Sequence, residues 1–518
     1  MTLKTFLSVL LLAPFACYSQ EKEIKTNARP ELIRGPYLQA ASSTGIELRW
    51  RTDVSSRSRV RFGTSPDRLD RQVDDARLLT EHRVKLKDLK PYTKYYYAIG
   101  GFQDTLQTGK DNSFMTLPEP GKPGKYRVAA LGDCGDNSIN QRNVKNQVIK
   151  YIGNQELNAW ILLGDNAYSD GTDAEFQSKF FNIYKDDLLK KIPLFPTPGN
   201  HDYHDTDVTS AKAQVTHETA YYQNFSMPTE GESGGVASHT QAFYSFDLGN
   251  IHFLSLDSYG KEDQAYRLYD TLGPQVNWIK KDLAENKNKG WVIAYWHHPP
   301  YTMGSHNSDK EEELIKIREN FIRILERYGV DLVLCGHSHD YERSRLMAGH
   351  YGPEASFDSA KHNLSNSSGR YDGGNNAAPY VKAQDGKGTV YVVSGSAGKL
   401  GGKQKSFPHD AMYFSDADHG GASILEIEDN RLDLKWICAD GQIRDQFTMM
   451  KNVNKHQVIQ MRKGEKKTLT ASFIGKYTWN SSSSSERSLV VSPDQDQIYS
   501  VTDEFHVVKD TFEVHVSK

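Results

Sequence analysis

The sequence predicts an α/β domain held between two smaller β modules, and three observations predict it. From residue 125 to about 449, apolar runs alternate with segments of helical spacing, the signature of an α/β unit. On either side, short runs alternate in and out between polar turns, as half-buried strands do. The proline- and glycine-rich stretch Leu117-Pro118-Glu119-Pro120-Gly121-Lys122-Pro123-Gly124 marks a boundary between the first module and the second.

Length and composition agree with this division. At 518 residues the chain exceeds one ordinary domain, and a prior of ~150 residues per domain gives about three. Hydrophobic residues at 37% and charged residues at 25% describe a globular protein with an ample core. A net charge of -3 and a pI near 6.7 argue against nucleic acid or an anionic membrane as a dedicated partner.

Residues 1–20 read as a signal peptide. A cation at Lys4 precedes an apolar run from Phe6 to Ala16, and polar residues follow. The run is too short to span a bilayer, so no transmembrane segment is expected. Pro14-Phe15-Ala16 is a poor lead-in for lipid attachment at Cys17. The expectation is an exported chain, secreted or periplasmic, with association to a cell surface left open. Cys134, Cys335 and Cys438 then remain, too few for a disulfide framework, and they read as small buried apolar residues.

Residues 31–118 read as a β-sandwich. Gly45 to Arg51 and Ser58 to Phe62 alternate, with turn residues between such runs. Leu89-Lys90-Pro91-Tyr92-Thr93-Lys94-Tyr95-Tyr96-Tyr97 resembles the tyrosine corner of fibronectin type III domains, in which a hydroxyl ties a strand back to the preceding loop.

In the central domain, five apolar runs end in polar clusters. Tyr126 to Leu131 leads into Gly132-Asp133-Cys134-Gly135-Asp136-Asn137, and Ala159 to Leu163 into Gly164-Asp165-Asn166-Ala167-Tyr168. Ile192 to Pro198 leads into Gly199-Asn200-His201-Asp202-Tyr203, Trp291 to Trp296 into His297-His298-Pro299-Pro300-Tyr301, and Val330 to Cys335 into Gly336-His337-Ser338-His339. Ligands gather beyond the carboxyl ends of strands in α/β sheets, so these clusters are expected at one edge. One H-x-H after a strand is weak evidence, and Asp133 or Asp165 alone could be a helix cap. All five clusters together point to metal. Carboxylate, amide, imidazole and phenol suit hard or borderline cations, in numbers too large for one ion and sufficient for two. Two ions ~3.5–4 Å apart need an anion between them, which an aspartate can supply.

Elsewhere, Gln241 to Asp247 and Ile251 to Asp257 read as paired strands of a second sheet. Ser394-Gly395-Ser396-Ala397-Gly398-Lys399 reads as a turn closing the site from behind, because it lacks the spacing of a P-loop. Tyr351 to Ala383 reads as a surface loop near the pocket. Residues 452–518 read as a small Ig-like β module with no chemistry of its own.

The five clusters, in this order, resemble the calcineurin-like metallophosphoesterase superfamily, with motifs GD-x-G, GD-x-x-(Y/D), GNH-(D/E), H and GH-x-H. Tyr168 in the second motif and the β-sandwich in front make the chain similar to the purple acid phosphatases. The resemblance implies a two-sheet αββα sandwich over 125–449 and two bound metal ions. Asp133, Tyr168 and His339 would hold the first and Asn200, His297 and His337 the second, with Asp165 bridging. Fe(III) is implied at the Tyr168 site and a divalent ion (Fe, Zn or Mn) at the other. Either His297 or His298 could be the ligand by position; the family pattern selects His297 and leaves His298 to support a ligand from behind or to pack.

The implied function is hydrolysis of phosphate monoesters, small phosphoesters being the partners, through attack of a metal-bound hydroxide. His201 is then expected to protonate the leaving oxygen, with His306 assisting. Asn307 departs from the histidine pair of plant-type members. Two alternatives stand beside this reading: a phosphodiesterase of the same fold, and a surface binding or adhesion protein with a vestigial metal domain. The oligomeric state is not legible in the sequence.

Overall fold

The structure is a computed structural model and describes residues 29–383 and 386–517. The expected signal segment and Cys17 lie outside the described residues.

Two sheets face each other across the central domain. In the first, Lys125–Leu131, Ala159–Leu163 and Leu194–Thr197 run parallel, flanked by the antiparallel strands Gly421–Glu428, Arg431–Cys438 and Ile443–Lys451. In the second, Ile251–Ser255, Trp291–Trp296, Leu332–Cys335 and Val390–Ser394 are parallel neighbours. The expected pair at its edge is present as Tyr244–Leu248 and Ile251–Ser255, antiparallel.

The inner strands are continuous apolar runs because sheet and helices bury both of their faces; every residue of Ala159–Leu163 and Trp291–Trp296 is buried. Between the sheets, Phe195 and Phe246 stack with ring centroids 3.8 Å apart, Tyr244 Oη donates to the Pro196 carbonyl at 2.7 Å, and Ser394 and Ser423 hydroxyls meet at 3.0 Å.

The helix after the first motif shows how local sequence places an element. Ser138 caps Ile139–Ile152 by accepting the Gln141 N–H, and Gly153 ends the helix at φ 57°. Val144, Val148 and Ile152, at helical spacing, turn inward.

The N-terminal β module spans Leu32–Gln39 to Ser113–Met115, and its sheet continues into the central one through a single parallel pair, Gln39 with Leu194. Tyr95 Oη accepts the Lys90 N–H at 2.9 Å, the tie that the tyrosine-rich stretch predicts. The module is docked on the central domain by polar contacts: Arg49 to Ser226 Oγ at 3.2 Å, Tyr37 Oη to the Asn224 carbonyl at 2.8 Å, and Tyr97 Oη to the Lys190 carbonyl at 2.7 Å.

The C-terminal strands form two small sheets over a separate core containing Phe473, Trp479 and Phe512. The segment from Tyr351 to Ala383 divides between two duties. Glu354 N–H donates to Asp309 at 2.8 Å, near the site. Tyr371, in contrast, packs on Phe505 at 5.1 Å and donates to Asp503 at 2.9 Å, so this part is the bed of the C-terminal module. Cys134, Cys335 and Cys438 are buried and unpaired, as small apolar residues would be.

Candidate metal centre

The parallel strands of both sheets end at the same edge, and each ends in a loop that points one or two donors at a common centre. Two glycines make this approach possible. Gly164 has φ +89°, and a β-carbon there would collide with the His297 ring; one at Gly336 would lie 2.5 Å from Asp133 Oδ2. Asp133, Asp165 and His337 themselves take positive φ of 55°, 54° and 69°, backbone strain of the sort that surrounding structure must impose.

Asp133 and Asp165 are 0% and 1% exposed. Asp133 Oδ2 accepts the His337 N–H at 2.9 Å, while Oδ1 accepts Tyr168 Oη at 2.8 Å and lies 3.6 Å from His339 Nε2. Asp165 Oδ1 accepts the His201 N–H at 3.0 Å, and Oδ2 lies 3.3 Å from His297 Nε2. His297 Nε2 is also 3.1 Å from Asn200 Oδ1 and 3.3 Å from His337 Nδ1. Donor atoms of Asp133, Asp165 and His297 all lie within 4.8 Å of one another. The structure therefore brings together all seven residues expected as ligands: Asp133, Tyr168 and His339 on one side, Asn200, His297 and His337 on the other, and Asp165 among them.

Electrostatics suit cations. Burial, and Asp165 beside it, raise the Asp133 carboxyl well above the usual range. Asp165 is buried too, but the charge and hydrogen bond of His297 outweigh burial and draw it well below. Burial alone would lower His297; Asp165 raises it to about 9. Burial lowers His337 and His339 to about 3, which keeps a lone pair free on each. Burial and Asp133 also raise the Tyr168 phenol well above its ordinary value. Only a bound cation of high charge density would take its proton there. Two buried carboxylates, an amide, a phenol and three imidazoles converging in this way fit two metal ions.

Hydrogen bonds behind the ligands choose their tautomers. His297 Nδ1–H donates to the Leu163 carbonyl at 2.8 Å, presenting Nε2. His337 Nε2 is 3.3 Å from Glu311, presenting Nδ1. The same Glu311 oxygen takes His306 Nδ1 at 2.8 Å, and its other oxygen accepts the Asn307 N–H at 2.8 Å. These bonds hold the Glu311 carboxyl well below its usual range although burial opposes them. Sequence reasoning missed Glu311, one of three consecutive glutamates with nothing local to single it out. Asp202 also works from behind, accepting the Gly199 N–H at 2.9 Å and the Asn166 amide at 2.9 Å.

His201 and His306 line the centre with side chains 26% and 30% exposed, open enough to exchange protons. His201 Nδ1–H donates to the Ser169 carbonyl at 2.5 Å and turns Nε2 toward Asp165, 3.9 Å away. His298 is fully enclosed, its Nδ1 2.8 Å from Ser258 Oγ and its ring 4.3 Å from that of His337. Burial and the neighbouring imidazoles hold His298 well below its usual pKa, so it packs against the centre as a neutral wedge. Asn307 Oδ1 accepts the Asp309 N–H at 2.9 Å, closing a turn. Gly395 lies against Asp133, and Ala397 N–H donates to the Gly132 carbonyl at 3.2 Å, so this turn does back the site.

Known families agree with this geometry. The calcineurin-like phosphoesterase model matches residues 126–341, a span that contains every residue from Asp133 to His339, and the purple acid phosphatase N-terminal domain matches 34–116. Purple acid phosphatase 15 of Arabidopsis thaliana is 31% identical over 293 residues, 51% of this chain and 50% of its own length. Purple acid phosphatase 21 of the same plant is 27% identical over 363 residues, covering 65% of this chain and 75% of its own. The match thus spans about half the length of the first of these relatives and three quarters of the second. A purple acid phosphatase from yellow lupin (Lupinus luteus) seeds superposes with a TM-score of 0.59 at 20% identity, over 82% of this chain and 74% of its own, a likeness of fold. With both models matched in chain order, residues 34–341 of the chain are similar to the purple acid phosphatases and to the calcineurin-like phosphoesterases.

Proposed function

We propose that the chain is an exported binuclear metallophosphatase that hydrolyses phosphate monoesters, its catalytic unit spanning 125–449. The observation that carries this reading is the convergence of seven metal-suited donors from five strand ends, with Asp165 among them and its carboxylate within reach of both groups. Asp133, Tyr168 and His339 would hold Fe(III) with Asp165, and Asn200, His297 and His337 would hold a divalent ion, Fe, Zn or Mn. When bound, two such cations neutralise phosphoryl oxygens and supply hydroxide near neutral pH.

The chain's own residues do the rest. With its Nδ1–H committed to Ser169, His201 can carry a proton only at Nε2 in exchange with a leaving alkoxide or phenoxide, which makes it the general acid. His306 Nδ1 is committed to Glu311 in the same way, so that as an imidazolium it would donate its Nε2–H to a phosphoryl oxygen. Export is inferred from the layout of residues 1–20.

The test is turnover of an aryl phosphate, with a diester alongside, by metal-loaded protein across a pH series. Release of the phenol from the monoester supports the reading. No turnover at any pH, from protein shown by elemental analysis to hold two metals, overturns it.

A further inference from the structure

The segment after Val390–Ser394 crosses the mouth of the centre and carries three lysines, Lys399, Lys403 and Lys405. Its backbone is pinned to the site. Lys399 N–H donates to the Asp133 carbonyl at 3.0 Å, Gly401 N–H to the His339 carbonyl at 3.1 Å, and Gln404 N–H to Met303 and Gly304 carbonyls at 3.0 and 3.1 Å. A β-carbon at Gly401 would lie 2.5 Å from Ser305 Cβ and 2.9 Å from His339 Cβ, so the strap passes directly over these residues.

Lys399 is half-buried, and its Nζ stands over the Tyr168 ring, 4.6 Å from the centroid. Among the described residues no carboxylate lies within ion-pair distance of Lys399 or Lys405, while Lys403 has only Asp418 at 3.7 Å. A ring face offsets part of the cost of desolvating an ammonium. It does not replace the counter-anion that a half-buried cation ordinarily finds. The Nζ also stands over the ring face, whereas the hydroxyl reaches Asp133. The cation therefore stands beside the expected ligands without being one of them, where its charge is free for a further group of a substrate held at the centre.

We propose that Lys399 is a specificity-determining residue that receives a second anionic group of the substrate, beyond the phosphoryl group held at the metals. The favoured class is diphosphates, in which the leaving group is itself a phosphate. This inference rests on the metallophosphatase reading above and adds the recognition of the leaving group to it.

Binding of inorganic phosphate and of methylenediphosphonate, a diphosphate with no scissile bridge, is measured by calorimetry on metal-loaded full-length protein, wild type, Lys399→Met and Lys399→Arg. Lys399→Met should weaken methylenediphosphonate by roughly ten- to a hundred-fold, the loss expected for one charge-assisted hydrogen bond, and phosphate by much less. Lys399→Arg should restore most of the difference, with metal content equal in all three proteins. Equal weakening of both anions would place Lys399 on the phosphoryl group itself and overturn the proposal, as would weakening of neither. Wild-type protein that binds metals but neither anion, and turns over no aryl phosphate, would instead overturn the phosphatase reading, and this inference would fall with it.

Discussion

The two halves of the candidate metal centre are built from different chemistry. Around Asp133, Tyr168 and His339 the donors are a buried carboxylate, a phenol and one imidazole, and around Asn200, His297 and His337 they are an amide and two imidazoles, with Asp165 common to both. The first half concentrates negative charge once its phenol ionises, which suits a hard trivalent ion; the second, once His297 gives up its proton, carries only the Asp165 charge and suits a divalent one. The support differs as well. In the second half a Leu163 carbonyl and the Glu311 carboxylate fix the imidazole tautomers, whereas the first half has Lys399 over the Tyr168 ring and the Lys179 ammonium on the Tyr168 carbonyl. One fold thus prepares two unlike donor sets a few ångströms apart by changing what lies behind them.

Removing the shared member abolishes the contrast. Asp165→Ala takes away the anion common to both halves, so metal content should fall and activity should drop by several orders of magnitude. Elemental analysis with an aryl phosphate assay checks this, and two retained metals with full activity would refute the bridging role.

His201→Ala should leave both halves loaded while turnover falls ~10²–10⁴-fold, the range for a lost positioned acid. Loss of metal along with activity would assign His201 to the ligands instead. Glu311→Gln attacks the second half alone. It removes the charge that holds His337 Nε2–H, and the affinity of that half for its metal should fall ~10–100-fold. Competition with a chelator reads this directly, and an unchanged affinity would leave Glu311 only its hold on His306 and Asn307.

Tyr168→Phe sharpens the first half. A phenolate on ferric iron absorbs visible light, so iron-loaded protein should be coloured and the variant should lose the band. A band that persists would remove Tyr168 from the ligands. The smallest effect is expected at His298→Ala, since that ring packs behind His337 without offering an atom to the centre. It should cost far less metal than His297→Ala, and equal losses in the two variants would reverse the choice between these neighbours.

What the sequence alone determined is local. Asp133, Asp165, Asn200, His297, His337 and His339 are legible because each follows an apolar strand within one to four residues, and the glycines beside them have a use only if the chain turns sharply toward a ligand. The Tyr95 tie is legible for the same reason, since its acceptor and donor are five residues apart.

What only the tertiary structure decided depends on segments that approach from far along the chain. Glu311 meets His337 across 26 residues, and His298 meets Ser258 across 40. Lys399 reaches Tyr168 from a strap whose course is set by bonds to Asp133, His339 and Met303. Whether 371–373 faces solvent or the C-terminal module rests on the position of Phe505. A charged or aromatic side chain carries no local mark of its partner; its environment is fixed when sheets pack, because burial and hydrogen bonding belong to the assembled neighbours and not to the residue.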